Sequence, residues 1–468
     1  MTAQLEPDPN CPSCVSLASE LSALRKVVEK LSGDVERLKA RKPKTSRTSS
    51  KPPSTDAPWA KSASKKKSTG RKRGGQPGHK GAQRKPAPPK DVDETKMVKP
   101  SHCGSCTDPL FGDDPNPWRH QIIDIPPVKP HITEYVLHRL TCEGCGEETK
   151  AELPHGVHAS NFGPNIAAQV ALLTGEYRMS RRSVQRWFAD ACGIEISLGA
   201  LSNIERRITD GLEGAHAEAL ASVAESPTKH LDETTWRESG CLSWLWAGVG
   251  EKATAFLILD SRRAEVAKEL IGEEPSGITI SDRYGGYSFI DLERRQVCLA
   301  HLIRDFRAMA EGEKDLRWIG EGLLALIDDA FWLWHLHKDG HVERANLKRW
   351  IRPLRARIFA LLDAGARSRG HETPSKCRGI LKTEPAMWTF VAVEGVEPTN
   401  NVAERAVRPV VIHRKTSLGS QSKRGSDFVA RMQTASATLR QRGGSLFQFV
   451  GDVARAVLVA APEPKLPG

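Results

Sequence analysis

Three carboxylates that lie far apart in the chain have the residue type and setting of a site for two divalent cations. They are Asp232, Asp282 and Glu404. Two Mg²⁺ or Mn²⁺ ions about 3.5–4 Å apart require a few anionic oxygens on rigid elements, so that one ion activates an attacking hydroxyl and the other stabilises the leaving oxygen. We therefore predict that these three acids are both the catalytic residues and the Mg²⁺ (or Mn²⁺) ligands of a phosphoryl-transfer site.

Strand-like runs surround the two aspartates. Asp232 is predicted to end a strand that begins near Thr228, and two further strands, over 243–249 and 253–259, complete a hairpin meander. A helix over 262–271 follows. The short apolar strand 277–281 then places Asp282 at its end.

Glu404 falls instead on a predicted helix, with Thr399 or Asn400 as its N-cap and a disturbance at Pro409. This helix would carry Glu404 back over the edge of the sheet toward the two aspartates. Glu233 points to the opposite face of the strand from Asp232, so we expect a structural part for it.

These stretches, together with 296–306 and the glycine-rich segment 70–81, resemble the transposases of the IS66 insertion-sequence family. The resemblance covers essentially the whole chain, and it implies a DDE transposase whose motif residues fall on Asp232, Asp282 and Glu404. The implied fold is multidomain α/β, with an RNase H-like catalytic domain over 226–445 that carries a large helical insertion at about 311–393.

The implied reaction is binding of the element ends, metal-dependent strand cleavage and strand transfer into target double-stranded DNA, with a place for helper proteins encoded by the same element. A serine or tyrosine recombinase is disfavoured, since no single Ser or Tyr lies in an arginine-rich catalytic setting. A dimeric helix-turn-helix DNA-binding regulator, or an inactive relative with structural carboxylates, remains the alternative. DNA cleavage that depends on divalent ions distinguishes an active transposase from this alternative.

The positive charge is concentrated in one segment. The chain of 468 residues carries a net charge of +12, and residues 39–90 contain 17 lysines and arginines against one acid, Asp56. The segment is rich in Pro, Ser and Gly and poor in large apolar residues, so 40–95 is predicted to be a disordered basic linker. Either it is simply solvated, or it binds DNA phosphates, and the charge density favours DNA. The predicted DNA contacts are Arg71, Lys72, Arg73 and Lys80.

Two Cys-x-x-Cys pairs predict a zinc ribbon over 96–155. The four predicted Zn²⁺ ligands are Cys103, Cys106, Cys142 and Cys145. Strand-like runs over 121–125 and 132–140 would form the ribbon between the pairs. Because four thiolates close the coordination sphere, the metal is expected to be structural. A third pair, Cys11 and Cys14, has no partner pair nearby, and binding of zinc across a dimer is one option for it.

A heptad pattern predicts a coiled coil over 15–39. Apolar residues recur at alternating spacings of four and three from Leu17 to Leu38, with leucine at every d position and Leu21, Val28 and Val35 at a. Such a and d positions favour a parallel homodimer. An amphipathic helix packed on another part of the same chain is the alternative.

Residues 160–215 read as helices with a glycine-containing turn at 192–197, a pattern typical of a helix-turn-helix. Asn203, Arg206 and Arg207 are the candidate base or phosphate contacts, although a plain helical bundle gives the same pattern. In the insertion, core packing is expected to explain most of the tryptophans. His301 and Arg304 follow a strand over 296–299 and are expected near the acids, with Arg304 contacting DNA phosphate and with a hydrogen-bonded structural role as the alternative for His301.

The last segment, 446–468, is predicted as a C-terminal helix and tail. The sequence contains no apolar run of the roughly 18–20 residues that a membrane span requires, and the first residues do not resemble a signal peptide. We therefore expect a cytoplasmic, nucleoid-associated protein without a membrane partner.

Overall fold

The computed structural model describes residues 19–32, 45, 47–49, 78–79 and 85–467. The chain divides into two compact units, of which the larger contains Gly214–Gly444 with Lys465–Gly468, and the smaller contains Ser62–Glu213 with Ser445–Pro464. Several residues with predicted roles lie outside the described part of the chain, namely Cys11, Cys14, Arg71, Lys72, Arg73 and Lys80.

The described elements are given in chain order. The strands are β1 (Arg139–Thr141), β2 (Glu148–Lys150), β3 (Thr228–Glu238), β4 (Cys241–Val249), β5 (Thr254–Leu259), β6 (Ile278–Ser281) and β7 (Arg295–Val297). The helices are α1 (19–32), α2 (Pro164–Ala171), α3 (Arg181–Cys192), α4 (Leu198–Gly211), α5 (Glu213–Glu225), α6 (Ala264–Ile271), α7 (Leu299–Ala310), α8 (Arg317–Lys338), α9 (Arg344–Arg367), α10 (Glu372–Leu381), α11 (Thr389–Ala392), α12 (Asn401–Ser417), α13 (Lys423–Arg442) and α14 (Leu446–Leu458).

A mixed five-stranded sheet forms the centre of the larger unit, with the order β5-β4-β3-β6-β7. The β3–β4 and β4–β5 pairs are antiparallel, which confirms the predicted meander. The β3–β6 and β6–β7 pairs are parallel, and the connection through α6 brings the chain back beside β3. The strand predicted over 277–281 is confirmed as β6, and Asp282 follows it directly.

The prediction that Asp232 ends its strand is wrong. Strand β3 continues to Glu238, because its antiparallel pairing with β4 extends as far as the Glu238–Cys241 pair. Only its first three residues pair with β6. Asp232 therefore lies in β3 just beyond the point where the parallel pairing with β6 stops.

Helices cover both faces of the sheet. Trp236 of β3 packs in one apolar cluster with Val407 and Val410 of α12 and with Val429 of α13. On the opposite face, Gly248 of β4 lies against side chains of α5 and α6. Because strand residues alternate between faces, Asp232 shares the face of Trp236, and this is the face that α12 covers.

Pro409 does not end the helix that carries Glu404. Helix α12 runs on to Ser417 with Pro409 inside it. An interior proline costs about 3 kcal/mol relative to alanine. The burial of Val407 and Val410 against the sheet offsets that cost, since full burial of one such side chain contributes about 1.5–3 kcal/mol.

Helices α8 to α11 occupy the region 311–393, and they share a core with the sheet. One buried cluster joins Ile280 of β6 and Val297 of β7 to side chains of α7, α8 and α9. The expectation that most of its tryptophans are buried is wrong. Trp334 and Trp388 are buried, whereas Trp318, Trp332 and Trp350 are 52%, 62% and 43% exposed.

In the smaller unit, α2, α3 and α4 occupy the region predicted to be helical. Ser180 and Ser197 cap α3 and α4 by accepting hydrogen bonds from the amides of Ser183 and Ala200. Helix α3 ends at Gly193, whose φ of 64° is left-handed. The C-terminal helix α14, which we expected as a separate segment, packs on α2 and α4.

Part of the predicted ribbon does not form. The only described strands near the cysteines are β1 and β2, which pair as a short hairpin on either side of the second Cys-x-x-Cys pair. Residues 121–138 form no strand. Pro126, Pro127 and Pro130 interrupt this segment, and proline cannot donate a hydrogen bond to a neighbouring strand.

Helix α1 lies within the predicted coiled coil, and the remainder of 15–39 is outside the described residues. Its a and d side chains are exposed in the single chain: Leu21 by 52%, Leu24 by 63%, Val28 by 55% and Leu31 by 57%. The apolar stripe is therefore not packed against another described part of the same chain. Among the residues that the structure describes, no helix has the length and apolarity needed to cross a bilayer.

Candidate active site

Asp232 lies in β3, and Asp282 directly follows the neighbouring strand β6. The parallel register pairs His230 of β3 with Ile280 of β6, and the same offset places Asp232 level with Asp282. Both side chains are half-buried. Burial, together with the carboxylates of Glu233, Asp282 and Glu404, raises the pKa of Asp232 well above its usual range. Negative charge is thus concentrated at one point of the sheet, as a cation site requires.

Asn400 fixes the start of the helix that carries Glu404. Its side-chain amide donates to the Leu231 carbonyl at 2.6 Å, and its Oδ1 lies 3.1 Å from Nδ1 of His230. The Asn400 backbone amide donates to Sγ of Cys298 at 3.2 Å. Asn400 is the N-cap residue of α12, as predicted, but its side chain is bonded to β3 and not to the helix. One turn later, Glu404 lies near Asp232.

A cluster of potential metal ligands that was not predicted from the sequence includes Glu404. One potential ligand atom each from Cys298, His301 and Glu404 fall within 4.8 Å of one another, and this is the only such group of three or more among the described residues. His301 Nε2 is 3.9 Å from Glu404 Oε1. Nδ1 of His301 and Oε1 of Glu404 are buried, and neither has a hydrogen-bond partner within the part of the chain that the structure describes. The Cys-x-x-His spacing at the start of a helix was the available signal.

The loop after β6 is held from several sides. The Tyr284 amide donates to Oδ1 of Asp282 at 2.8 Å, and the Arg295 guanidinium donates to the Asp282 carbonyl at 2.6 Å. Arg283 pairs with Asp305 of α7, which also lies 2.9 Å from Nζ of Lys376 on α10. The helical insertion therefore helps to position this loop.

Glu233 lies on the opposite face of β3 from Asp232, as expected. Its carboxylate accepts hydrogen bonds from the Tyr287 hydroxyl and from Arg262. The Arg262 guanidinium lies over the rings of Tyr284 and Trp244, 3.8 Å and 4.6 Å from their centres. Burial and the charge of Asp282 raise the pKa of Glu233 to about 7, against the lowering effect of these hydrogen bonds.

His301 and Arg304 lie one turn apart on α7. Burial lowers the pKa of His301, and the positive charge of Arg304 lowers it further, whereas Asp282 and Glu404 act in the opposite direction. Arg304 is half-buried. His301 lies near Glu404, with Nε2 of His301 3.9 Å from Oε1 of Glu404, whereas the position of Arg304 beside the acids and its contact with phosphate stay predictions.

The two cysteine pairs have the same local backbone geometry. The backbone amide of the first cysteine in each pair donates a hydrogen bond to the carbonyl five residues later. Cys103 donates to Asp108 at 2.8 Å, and Cys142 donates to Glu147 at 2.9 Å. Backbone amides within each pair lower the pKa of the Cys103 and Cys142 thiols. The structure does not bring three of the four sulfur atoms within 4.8 Å of one another.

The candidate DNA contacts of the smaller unit lie on one helix. Asn203, Arg206 and Arg207 are exposed on α4, whose opposite face is buried. Arg181 of α3 pairs with Glu205 of α4, with its Nε at 2.8 Å, and thereby fixes the two helices to each other. Their contact with DNA stays a prediction.

Comparison with known protein families identifies the family to which this chain belongs. Residues 159–427 match the family described as "Transposase IS66 family", and residues 6–85 match a "Family of unknown function (DUF6444)". The first match spans more than half of the chain and contains all three acids. The chain therefore belongs to the IS66 family of transposases.

Two proteins of Sinorhizobium fredii are similar to the chain. "Uncharacterized protein y4qI" is 26% identical over 290 residues, which cover 54% of this chain and 51% of that protein. "Uncharacterized protein y4hP" is 24% identical over 398 residues, covering 76% of this chain and 71% of that protein. The chain thus spans about half the length of the first relative and about seven-tenths of the second.

Proposed function

We propose that the chain is a DNA transposase that cuts the ends of an insertion sequence and joins them to target DNA, with Asp232, Asp282 and Glu404 as the catalytic carboxylates. The observation that carries the proposal is their convergence. Asp232 and Asp282 are level on adjacent strands, and α12 brings Glu404 onto the same face of the sheet. The strand order, with three antiparallel strands followed by two parallel ones, supports an RNase H-like catalytic domain.

The three acids fit divalent cations of the Mg²⁺ class. Hard cations prefer carboxylate oxygens. Among the described residues, Oε1 of Glu404 is buried without a hydrogen-bond partner, and burial together with the neighbouring carboxylates raises the pKa of Asp232. A bound cation would neutralise this group of carboxylates. When bound, Mg²⁺ or Mn²⁺ would lower the pKa of an attacking water or 3′-hydroxyl and stabilise the leaving oxygen.

The protein side chains would then position the scissile phosphate and the cations. Asn400 holds Glu404 in register with Asp232, and the hydrogen bonds of Tyr284 and Arg295 hold Asp282. Arg304, one turn from His301 on α7, would contact a phosphate oxygen beside the acids. The attack is in line on phosphorus, so no covalent bond between protein and DNA is needed.

Positive charge on exposed helices supports a DNA substrate. Helix α9 carries seven lysines and arginines against one acid, Asp363. Six of these seven basic residues are exposed, namely Lys348, Arg349, Arg352, Arg355, Arg357 and Arg367. Arg206 and Arg207 of α4 and the basic segment 39–90 add further cations. Such charges bind phosphates by releasing counterions, so binding should weaken steeply as salt rises.

Further proposals concern metal and assembly. We propose that Cys103, Cys106, Cys142 and Cys145 bind one structural Zn²⁺, because amides directed at sulfur are typical of such sites and stabilise thiolates. We also propose that the exposed apolar stripe of α1 pairs with the same stripe of a second chain, which would bring two element ends together.

The test is cleavage of a linear DNA that carries the terminal sequences of the encoding element. With Mg²⁺, the full-length protein should nick this DNA and join the freed end to a second duplex. In EDTA it should still bind but not cut. Binding in EDTA combined with no cleavage in Mg²⁺ or Mn²⁺ would instead support a dimeric DNA-binding regulator.

A further inference from the structure

Cys298, His301 and Glu404 form a set of potential metal ligands that differs chemically from the three carboxylates. Each belongs to a rigid element: Cys298 is the N-cap of α7, His301 lies in the first turn of the same helix, and Glu404 lies in the first turn of α12. Their ligand atoms fall within 4.8 Å of one another. A thiol, an imidazole and a carboxylate together are the ligands of a borderline-soft cation, whereas Mg²⁺ takes oxygen ligands.

Two further observations support a cation at this point. Among the described residues, Oε1 of Glu404 is buried without a hydrogen-bond partner, so this carboxylate oxygen is available to a cation. The Asn400 amide donates to Sγ of Cys298 at 3.2 Å, and a hydrogen bond of this kind stabilises a metal-bound thiolate.

The spacing is close to what coordination requires. Tetrahedral zinc, with bonds of about 2.0–2.3 Å, holds its ligand atoms roughly 3.3–3.6 Å apart. His301 Nε2 and Glu404 Oε1 are 3.9 Å apart. The Glu404 side chain is 35% exposed, so a small rotation of it can shorten this distance by the few tenths of an ångström that coordination requires.

We infer that Cys298, His301 and Glu404 bind one thiophilic divalent cation of the Zn²⁺ class and leave a coordination position open for water. Binding does not depend on the proposed reaction. Since Glu404 also belongs to the proposed catalytic set, a cation bound here would compete with Mg²⁺ for that residue, and this consequence rests on the proposed function.

Cobalt(II) is the probe, because a thiolate–cobalt bond absorbs in the near ultraviolet and Co²⁺ accepts the same ligands as Zn²⁺. The full-length protein and its Cys298→Ser variant are titrated with Co²⁺ without DNA or Mg²⁺. The cysteines of the proposed zinc ribbon are present in both proteins and cancel in the difference spectrum. We expect a difference band equivalent to one thiolate per chain, and identical spectra would overturn the inference.

A second variant keeps the thiol and tests the set. Glu404→Gln should retain the thiolate–cobalt band but require at least tenfold more Co²⁺ to reach it, since even the loss of a hydrogen bond to a ligand commonly costs 10–100-fold in affinity. An unchanged Co²⁺ affinity would remove Glu404 from the set and contradict the inference. Failure of Mg²⁺-dependent DNA cleavage with a normal cobalt titration would overturn only the proposed function.

Discussion

Replacing Asn400 by alanine tests how Glu404 is positioned. Asn400 is 1% exposed, and its side chain bonds both the Leu231 carbonyl and the His230 ring. The Asn400→Ala variant leaves these two buried groups without partners, at a cost of about 1–3 kcal/mol each. We therefore expect a total destabilisation of about 2–6 kcal/mol.

The measurement is urea unfolding of the full-length protein, followed by tryptophan fluorescence, beside Asn401→Ala as the matched control. Asn401 is exposed and begins the same helix, so its variant should lie within about 0.5 kcal/mol of the wild type. DNA cleavage is then measured under conditions in which both variants are folded. Misplacement of a catalytic group by about 1 Å can cost roughly 100-fold in rate. Equal stability and equal activity of the two variants would refute the proposed role of Asn400.

Three other predictions concern separate parts of the chain. Ionisation of Glu233 destabilises the folded protein, because the pKa of Glu233 in the folded state, about 7, exceeds its ordinary value of 4.5. This loss of folding free energy is small below pH 4.5, grows as the pH rises to about 7, and reaches roughly 3 kcal/mol. Glu233→Gln should therefore gain stability relative to the wild type between pH 4.5 and pH 8 in urea unfolding, and an equal difference at both pH values would contradict this. Metal analysis should find one Zn²⁺ per chain fewer in Cys142→Ser than in the wild type, because the ribbon would lose its ion, whereas an unchanged zinc content would remove the ribbon from the proposal. Val28→Lys places a charge in the apolar stripe of α1 and should convert a dimer to monomers in light scattering, whereas Glu29→Lys should not; a dimeric Val28→Lys variant would assign association to another surface.

The sequence predicted the sheet well where local pattern determines structure. The meander and the short strand before Asp282 have apolar residues at the spacing of strands and end at turn residues, so their positions could be read directly. The full length of β3 could not be read from the sequence. Residues beyond Asp232 are polar on one side, and they remain extended because β4 pairs with them as far as Glu238.

Features that depend on distant contacts were missed or wrong. The interior position of Pro409 follows from apolar burial of α12 against the sheet, which its own sequence does not reveal. The set of Cys298, His301 and Glu404 is assembled by hydrogen bonds of Asn400 to β3 and to Cys298. The residues 121–125 and 132–138 have the composition of strands, yet they pair with no strand in the described part of the chain.

Asp282 is proposed to act as an anionic catalytic ligand. The most direct test of this role measures Mg²⁺-dependent cleavage and joining of DNA that carries an element end, with the Asp282→Asn variant. The amide preserves the shape of the side chain but removes its charge, so cleavage and joining should fall below detection while DNA binding stays within about twofold of the wild type. Asp291→Asn, at an exposed aspartate after the same strand, is the matched control and should cut at the wild-type rate. Cleavage by Asp282→Asn at a rate near that of the control would contradict the claim.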